Sequence, residues 1–280
     1  MTSKPVLILQ LRPEDEASDG EFRAFLDKGH LSESEVRRHR METGPLPEGF
    51  SLDEYSAVIV GGGPGCVSDD PVARDPVEAR AEAELLALMP EILARDMPFL
   101  GCCYGIGLLA HHLGARVSKE RHSEPVSAVP CDVTEAGQAD PLLAGLPLRF
   151  NTLVGHKEAV QELPDGAVHL MSSETCPFQM IRAGENVYAT QFHPEADGQI
   201  FADRIRIYRD FGYFPPEEAA ALTKACLAAE VTEPERILKR FVARYVSVGR
   251  PHRAQGDGNM AGLPAGIVQM PAAGGMAGAT

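Results

Sequence analysis

The chain has 280 residues, enough for one large domain or two small ones, and 44% of them are hydrophobic, as is typical of a globular protein with a sizeable core. Its formal net charge of -14 argues against nucleic acid or an anionic membrane surface as a main partner. Six cysteines show no disulfide-framework spacing, the start does not read as a signal peptide, and no apolar stretch could span a bilayer. These features predict a cytoplasmic protein with free thiols.

The first half of the chain predicts parallel strands that alternate with helices. Continuous apolar runs at residues 6–11 and 57–60 are typical of buried parallel strands. The long amphipathic stretch at residues 76–94 predicts a helix that Pro90 kinks or divides. Between these elements we predict a polar loop, a helix and a second strand, at residues 12–20, 21–28 and 36–41.

The second half predicts antiparallel strands and then helices. Residues 116–133 alternate loosely between apolar and polar types, which favours antiparallel pairing. Beyond Gly249 the composition changes to glycine, alanine, proline and methionine with few charges, which predicts a disordered tail over residues 250–280. Helices are predicted before it, at residues 200–211, 216–230 and 234–246.

A nucleophile turn is predicted where the apolar run at residues 97–100 enters a Gly-x-Cys-x-Gly pattern and a helix follows. Cys103 lies midway between Gly101 and Gly105, whose lack of β-carbons suits a sharp turn and close approach of a substrate. The start of the helix favours thiolate over thiol. Cys102 is the rival nucleophile. The alternative is two buried cysteines that end a core strand.

A glycine loop, residues 61–65, follows the strand at residues 57–60. Such a loop lets backbone N–H groups face a ligand closely, as phosphate sites and oxyanion holes both require. No Gly-Lys-Ser/Thr follows, which excludes a P-loop, and no dinucleotide fingerprint opens a helix here. The alternative is an ordinary turn after a strand.

A base for the thiol is predicted late in the chain. His193 and Glu195 follow an apolar strand, and Pro194 stiffens the turn between them. In this interpretation His193 takes the proton of Cys103 and Glu195 fixes the tautomer of the ring. The alternative is a strand-end histidine that is hydrogen-bonded to backbone.

The glycine loop, the cysteine turn and the late Gln-Phe-His-Pro-Glu, in that order, resemble class I glutamine amidotransferases of the GMP-synthase-like, Cys-His-Glu type. The matching stretches are residues 62–64, 99–105 and 188–195, and residues 172–177 and the pair His156 and Glu158 resemble the family's intermediate strands. The resemblance covers about residues 5–210. It implies an α/β fold, a three-layer sandwich with a mostly parallel, flavodoxin-like central sheet and the active site at the carboxyl ends of the strands.

The resemblance also implies roles for these residues. Cys103 attacks the side-chain amide carbon of glutamine and forms a thioester with release of ammonia, while His193, oriented by Glu195, carries the proton and later activates water. Backbone N–H groups of Gly63 and Tyr104 form the oxyanion hole. Contacts to the substrate are implied for the residues Gly62, Gly107, Gly155, His156 and Lys157.

Two departures from the family pattern bear on the substrate. Gly107 stands where the family usually has a substrate-binding glutamine, and Cys66 stands where a serine is expected. Both leave the three catalytic residues intact. A γ-glutamyl hydrolase or peptidase that acts on another γ-glutamyl compound is therefore an alternative to a glutaminase. A catalytically silent regulatory subunit is a third interpretation.

The predicted organisation is a glutamine amidotransferase domain at residues 1–212, a helical extension at 213–249 and the tail at 250–280. The helices beyond Phe211 are too short to form a synthetase domain. Either a separate subunit accepts the ammonia or the protein only hydrolyses, and a homo-oligomer stays open. No cofactor is predicted. No metal site is predicted either, since His111 and His112 are adjacent on a helix and lack ligand spacing.

Overall fold

The computed structural model describes residues 4–211 and 213–246, so the predicted tail lies outside the described residues. The strands of the described part are, in chain order, β1 (Val6–Gln10), β2 (Val36–Arg40), β3 (Ala57–Val60), β4 (Phe99–Cys102), β5 (Val117–Ser118), β6 (Glu124–Val133), β7 (Arg149–His156), β8 (Ala159–Val160), β9 (Ala167–Ser173), β10 (Met180–Ala183) and β11 (Val187–Thr190). β5 and β8 pair with each other, and the others form one nine-stranded sheet.

The large sheet has a parallel half and an antiparallel half. Its order is β2-β1-β3-β4-β11-β10-β9-β6-β7. The neighbours from β2 to β11 run parallel, and every pairing from β11 to β7 is antiparallel. Thr190 of β11 pairs with Cys102 of β4, so the segments that follow these two strands leave the sheet side by side. Of the alternating stretch at residues 116–133, the antiparallel half contains β6, whereas β5 belongs to the separate two-stranded sheet.

Helices cover both faces of the sheet. Successive residues of β1 point to opposite faces and join two different hydrophobic clusters. Val6 and Ile8 share one cluster with Phe25, and Leu7 and Leu9 share the other with Leu85. The predicted three-layer α/β fold is therefore confirmed, with a mixed rather than a mostly parallel sheet, because antiparallel strands extend it beyond β11. The helices are α1 (Asp15–Gly29), α2 (Pro76–Ala94), α3 (Tyr104–His112), α4 (Glu135–Ala139), α5 (Gly198–Ile207), α6 (Ala219–Ala228) and α7 (Glu233–Tyr245).

One local prediction was wrong, and one of the two alternatives for Pro90 is excluded. Helix α1 begins at Asp15, within the stretch predicted as a loop. The acidic residues Asp15 and Glu16 lie in its first turn, where they interact favourably with the positive end of the helix dipole. Helix α2 is not divided at Pro90 and runs to Ala94. A proline removes only one hydrogen bond, and the buried face of α2 packs on both sides of it, through Met89 and Ile92.

The C-terminal helix α7 belongs to the main core. Its residues Ile237, Leu238 and Phe241 are fully buried in the cluster that contains Val6 and Phe25. The boundary at residue 212 stays a prediction, but the helical extension supplies part of the core beneath β1. In the described part of the chain, no helix is both long and apolar enough to cross a membrane.

Candidate active site

Cys103 lies at a sharp turn between β4 and α3. Its backbone has φ 55° and ψ -85°, in the left-handed region that non-glycine residues rarely adopt, at a cost of about 1–3 kcal/mol. The Cys103 N–H donates to Thr190 O at 2.7 Å, which ties the turn to β11. A β-carbon on Gly101 would lie 2.8 Å from the carbonyl carbon of Gly105, so only glycine fits there. At Gly105 the nearest atom to an added β-carbon is 3.7 Å away, an ordinary contact.

The two adjacent cysteines have different surroundings. Cys102 is the last residue of β4, and its side chain is fully buried in the core. Cys103 is half-buried and lines two cavities. Of the two thiols, the one at position 103 is therefore accessible to a small substrate.

His193 and Glu195 lie just beyond the end of β11, beside the Cys103 turn. His193 Nδ1 lies 2.8 Å from Glu195 Oε1. Because an ionised carboxylate can only accept, Nδ1 carries the proton and Nε2 of the neutral ring keeps its lone pair. Both residues are buried. His193 and Cys103 line the same cavity, so the structure brings together the three residues that the sequence predicted to be catalytic.

A second set of charged residues surrounds this group. Arg204 of α5 donates from Nη2 to Glu195 Oε1 at 2.8 Å, so this oxygen accepts from both His193 and Arg204. Arg12, which follows β1, donates from Nε to Glu21 Oε1 at 2.9 Å. Arg204 Nη2 lies 3.6 Å from the same oxygen of Glu21. Two arginines and two glutamates thus balance their charges in a buried network.

These charges shift the ionisation of the site. Burial alone would raise the pKa of Glu195, but His193 and Arg204 hold this pKa well below its usual range. Burial lowers the pKa of His193 despite the carboxylate of Glu195. Burial also raises the pKa of the Cys103 thiol to about 12, although Arg12 and Arg204 oppose this shift. At neutral pH the site therefore holds a thiol and a neutral imidazole.

Cys103 separates two small cavities. The first, here called the glycine-loop cavity, has a volume of about 30 Å³, and its lining includes Gly63, Cys66, Tyr104, Lys157 and Glu158. The second, here called the arginine cavity, has a volume of about 50 Å³, and its lining includes Arg12, His193, Arg204, Tyr208 and Phe214. Gly63, Cys103, Gly155 and Tyr213 line both.

Three of the residues predicted to bind the substrate end strand β7 or follow it, and all three line the glycine-loop cavity. They are Gly155, His156 and Lys157. Both ring nitrogens of His156 are already used within the protein, since Nδ1 lies 2.7 Å from Glu158 O and Nε2 lies 2.8 Å from Glu124 Oε2. His156 therefore positions the end of β7, and Lys157 keeps its ammonium group beside the ring of Tyr213, 3.9 Å from the ring centre.

The other two predicted substrate residues pack against functional side chains and are not among the residues lining these two cavities. A β-carbon on Gly62 would lie 2.6 Å from His193 Cε1, so Gly62 leaves room for the imidazole. A β-carbon on Gly107 would lie 2.9 Å from Glu158 Oε1. The carboxylate of Glu158 extends over Gly107 to accept the N–H groups of Val67 and Ser68, each at 2.9 Å. Glu158 thus occupies the space that a side chain at position 107 would need.

The sequence interpretation missed Arg12, Glu21, Arg204 and Tyr213. Arg12 had one available signal, because a polar residue directly after a buried parallel strand lies at the edge of the sheet where ligands bind. The others carry no local signal. Because Arg204 lies on an amphipathic helix, its sequence context predicts a solvent-exposed residue. Only the fold places it beside Glu195.

Two buried groups of side chains have potential metal-ligand atoms within 4.8 Å of one another. They are Glu21, His193 and Glu195, and Glu124, His156 and Cys176. In the first group Arg12 and Arg204 already supply the positive charge. In the second, Glu124 accepts hydrogen bonds from His156, from Ser173 at 2.8 Å and from Gln179 at 2.6 Å, in addition to Thr175. Side chains of the protein thus already hold most of these carboxylate oxygens, although Glu195 Oε2 is buried without a hydrogen-bond partner.

Comparison with known proteins identifies the family. Residues 24–206 match the family model for the class-I glutamine amidotransferases, and this range includes Cys103, His193 and Glu195. The chain belongs to the class-I glutamine amidotransferase family. The resemblance seen in the three sequence motifs is thus confirmed.

Sequence relatives of this glutamine amidotransferase include two proteins named "GMP synthase [glutamine-hydrolyzing]". The one from Thermosipho melanesiensis is 34% identical over 152 residues, which cover 54% of this chain and 26% of the relative. The one from Thermosipho africanus is 34% identical over 153 residues, with the same coverage. The chain therefore matches only about a quarter of the length of these relatives.

Solved structures share the fold. A glutamine amidotransferase from Thermotoga maritima superimposes with a TM-score of 0.69 at 22% identity, covering 88% of this chain and 99% of that one. A glutamine amidotransferase from Methylobacillus flagellatus gives a TM-score of 0.64 at 22% identity, covering 90% and 99%. These similarities extend the common fold well beyond residues 24–206.

Proposed function

We propose that this glutamine amidotransferase hydrolyses a γ-glutamyl amide through a thioester on Cys103, with glutamine as its simplest substrate. One observation carries the proposal. His193 donates a hydrogen bond to Glu195 at 2.8 Å, and the same histidine lines a cavity together with Cys103. A thiol, a base and an acceptor that orients the base are the three parts that nucleophilic acyl transfer requires.

In the proposed reaction His193 Nε2 takes the proton of the Cys103 thiol as the sulfur attacks the γ-carbonyl carbon. The same proton passes to the amide nitrogen, the carbon–nitrogen bond breaks, and the amine leaves. Water then attacks the thioester with His193 as base, which frees glutamate and restores the thiol. Because Glu195 is held ionised, it stabilises the imidazolium that forms in both steps.

The oxyanion would form on the side of Cys103 that faces the glycine-loop cavity, which Gly63 and Tyr104 both line. Tyr104 is the first residue of α3, so its N–H has no partner within the helix. A β-carbon on Gly63 would lie 2.8 Å from Leu11 Cβ, so glycine is needed for the loop to pass there. Loss of one oxyanion donor costs about 3 kcal/mol in other enzymes.

The glycine-loop cavity also suits the far end of a glutamyl group. Lys157 and Glu158 line it and carry opposite charges. An α-carboxylate and an α-ammonium group, which every free γ-glutamyl compound carries, would complement this pair.

Substitution of the two adjacent cysteines tests the proposal. We expect Cys103→Ala to lower the glutaminase rate by about a thousandfold or more, because among the described residues Cys103 is the one thiol that lines a cavity together with His193. Cys102→Ala serves as the matched control, since Cys102 is buried in the core and its loss reduces stability rather than chemistry. Ammonia release and a trapped thioester, detected by mass spectrometry, are the measurements. Turnover that survives in Cys103→Ala contradicts the proposal, and no turnover by the unmodified chain favours the silent regulatory subunit.

The acceptor of the ammonia is a separate proposal. The relatives named GMP synthase are about four times as long as the matched region, and this chain has no synthetase part in its described residues. We propose that a separate synthetase subunit receives the ammonia if the chain acts in a synthesis. Stimulation of glutaminase activity by a co-purified partner would support this proposal, and full activity of the chain alone favours simple hydrolysis.

A second candidate function, a γ-glutamyl hydrolase or peptidase, is favoured by one observation. Arg12 and Arg204 are buried and line the arginine cavity together with His193. Ammonia, the leaving group of a glutaminase, carries no negative charge that two arginines would bind.

A further inference from the structure

The two cavities beside Cys103 would each hold a different part of the substrate. Tyr104, a predicted oxyanion donor, lines the glycine-loop cavity, whereas His193 lines the arginine cavity. The carbonyl oxygen of a bound amide therefore faces the glycine-loop cavity. The leaving nitrogen must receive its proton from His193, so it faces the arginine cavity together with whatever it carries.

One of the two arginines of this cavity, Arg204, has buried donors without an acceptor in the protein. Arg12 is 6% exposed and Arg204 is 8% exposed. Arg204 uses Nη2 for Glu195, while its Nε and Nη1 are buried and have no hydrogen-bond partner within the protein. A buried donor without an acceptor costs about 1–3 kcal/mol, and more when it is charged. An anionic group bound in the cavity would supply that acceptor.

We propose that the arginine cavity is a leaving-group subsite for amines that carry a carboxylate, so that the preferred substrates are γ-glutamyl amino acids. The inference rests on the proposed function, because it assigns the leaving group of the same reaction. The carboxylate accepts hydrogen bonds from the guanidinium groups of Arg12 and Arg204, as charge-assisted pairs of this kind do. Hydrolysis consumes one water and yields glutamate and the free amino acid, whose nitrogen has taken the proton from His193.

The size of the cavity limits the leaving group. Its small volume of about 50 Å³ favours a short leaving group over one with a bulky side chain. Aromatic rings of Tyr208, Tyr213 and Phe214 form much of the remaining wall. Glycine is therefore the best leaving group among the amino acids, and γ-glutamylglycine is the probe of choice.

A matched pair of substrates tests the inference on the full chain. γ-Glutamylglycine and γ-glutamylglycinamide have nearly the same size, and only the first carries a carboxylate on the leaving group. We expect kcat/KM to be at least about tenfold higher for the acid than for the amide. Glutamine serves as the reference, and release of glutamate is measured for all three compounds.

Arginine variants then locate the effect. We expect Arg12→Lys and Arg204→Lys to bring the ratio of the two kcat/KM values closer to one, because an ammonium group lacks the planar guanidinium fork. The ratio is insensitive to a general loss of activity, since both substrates share the same chemistry. Arg206→Lys is the matched control, because Arg206 lies on the same helix but pairs with Glu16 at the surface, and it should leave the ratio unchanged.

The outcomes separate this inference from the proposed function. Hydrolysis of glutamine with equal rates for the matched pair overturns the inference and leaves the proposed function intact. A preference for the acid that persists in both arginine variants also overturns it. If none of the three compounds is hydrolysed, the proposed function fails and the inference fails with it. Binding of the pair to the Cys103→Ala variant, measured by calorimetry, gives a readout that does not depend on turnover.

Discussion

At the scale of single residues, the site contains an uncharged cysteine and an uncharged histidine among charged arginine and glutamate side chains. Burial raises the pKa of Cys103 and lowers that of His193, so both groups favour their uncharged forms. Arg12 and Arg204 favour the thiolate, and Glu195 favours the imidazolium. The charged neighbours thus favour proton transfer from Cys103 to His193, but in the free protein the proton stays on the sulfur.

The alkylation rate of Cys103 should therefore depend steeply on pH. With the pKa of the thiol at about 12, only the thiolate reacts, and its fraction rises about tenfold for each pH unit well below that value. We expect the rate with iodoacetamide to rise without a plateau between pH 7 and pH 10. The Cys103→Ala variant gives the background from the other cysteines. A plateau below pH 8 would instead indicate a thiolate–imidazolium pair at rest.

The sequence predicted the three candidate catalytic residues and several lining residues of the glycine-loop cavity, but it could not have predicted Glu21 and Arg204. Cys103 and His193 each follow an apolar strand and are flanked by glycine or proline, so local patterns mark them. Glu21 and Arg204 join the site only because the fold brings α1 and α5 together, with Arg204 on Glu195 and Glu21 on Arg12. A polar residue on a helix reads as solvent-exposed until its neighbours in space are known.

At the scale of elements, apolar runs and hydrophobic periodicity located β1 to β4 and most of the helices. Helix α2 was predicted with its observed bounds, since its apolar stripe and its N-terminal proline are local signals. The start of α1 was missed because its first turn is acidic and lacks that stripe. The C-terminal helix α7 was predicted from its apolar face, but its packing against α1 and β7 was not, because residues far apart in sequence determine it.

The packing of α7 predicts a large effect of one substitution. Phe241 is fully buried in the core cluster that contains Val6 and Phe25. We expect Phe241→Ala to lower the free energy of unfolding by about 3–5 kcal/mol, because it leaves a cavity. Leu227→Ala on α6 is the control, since Leu227 is 52% exposed and should change stability by less than about 1 kcal/mol. Denaturant unfolding measures both, and equal effects would mean that α7 is not part of the cooperative core.

At the scale of the whole molecule, four distant segments meet in one charge network. Arg12 follows β1, Glu21 lies on α1, Glu195 follows β11 and Arg204 lies on α5. Glu21 also accepts the N–H of Gly62 at 3.2 Å, which joins the glycine loop to the same network. The network thus connects the outer helices to the loops that hold the nucleophile.

Removing one charge from the network should be costly. We expect Glu21→Gln to lower the free energy of unfolding by about 3–5 kcal/mol, because Arg12 is left buried without its carboxylate partner. The double variant Glu21→Gln/Arg12→Met should lose less, since it removes both charges. A double-mutant cycle by denaturant unfolding measures the coupling energy. Additive losses would show that the two residues contribute independently.

Tyr213 lies beyond residues 24–206 and yet lines both cavities beside the nucleophile. The reactive groups come from the shared family domain, whereas one wall of the entrance comes from a segment outside it. Replacement of that segment during evolution would change which molecules enter without disturbing the chemistry inside. Selectivity and reactivity can accordingly diversify at separate rates in proteins built on this plan.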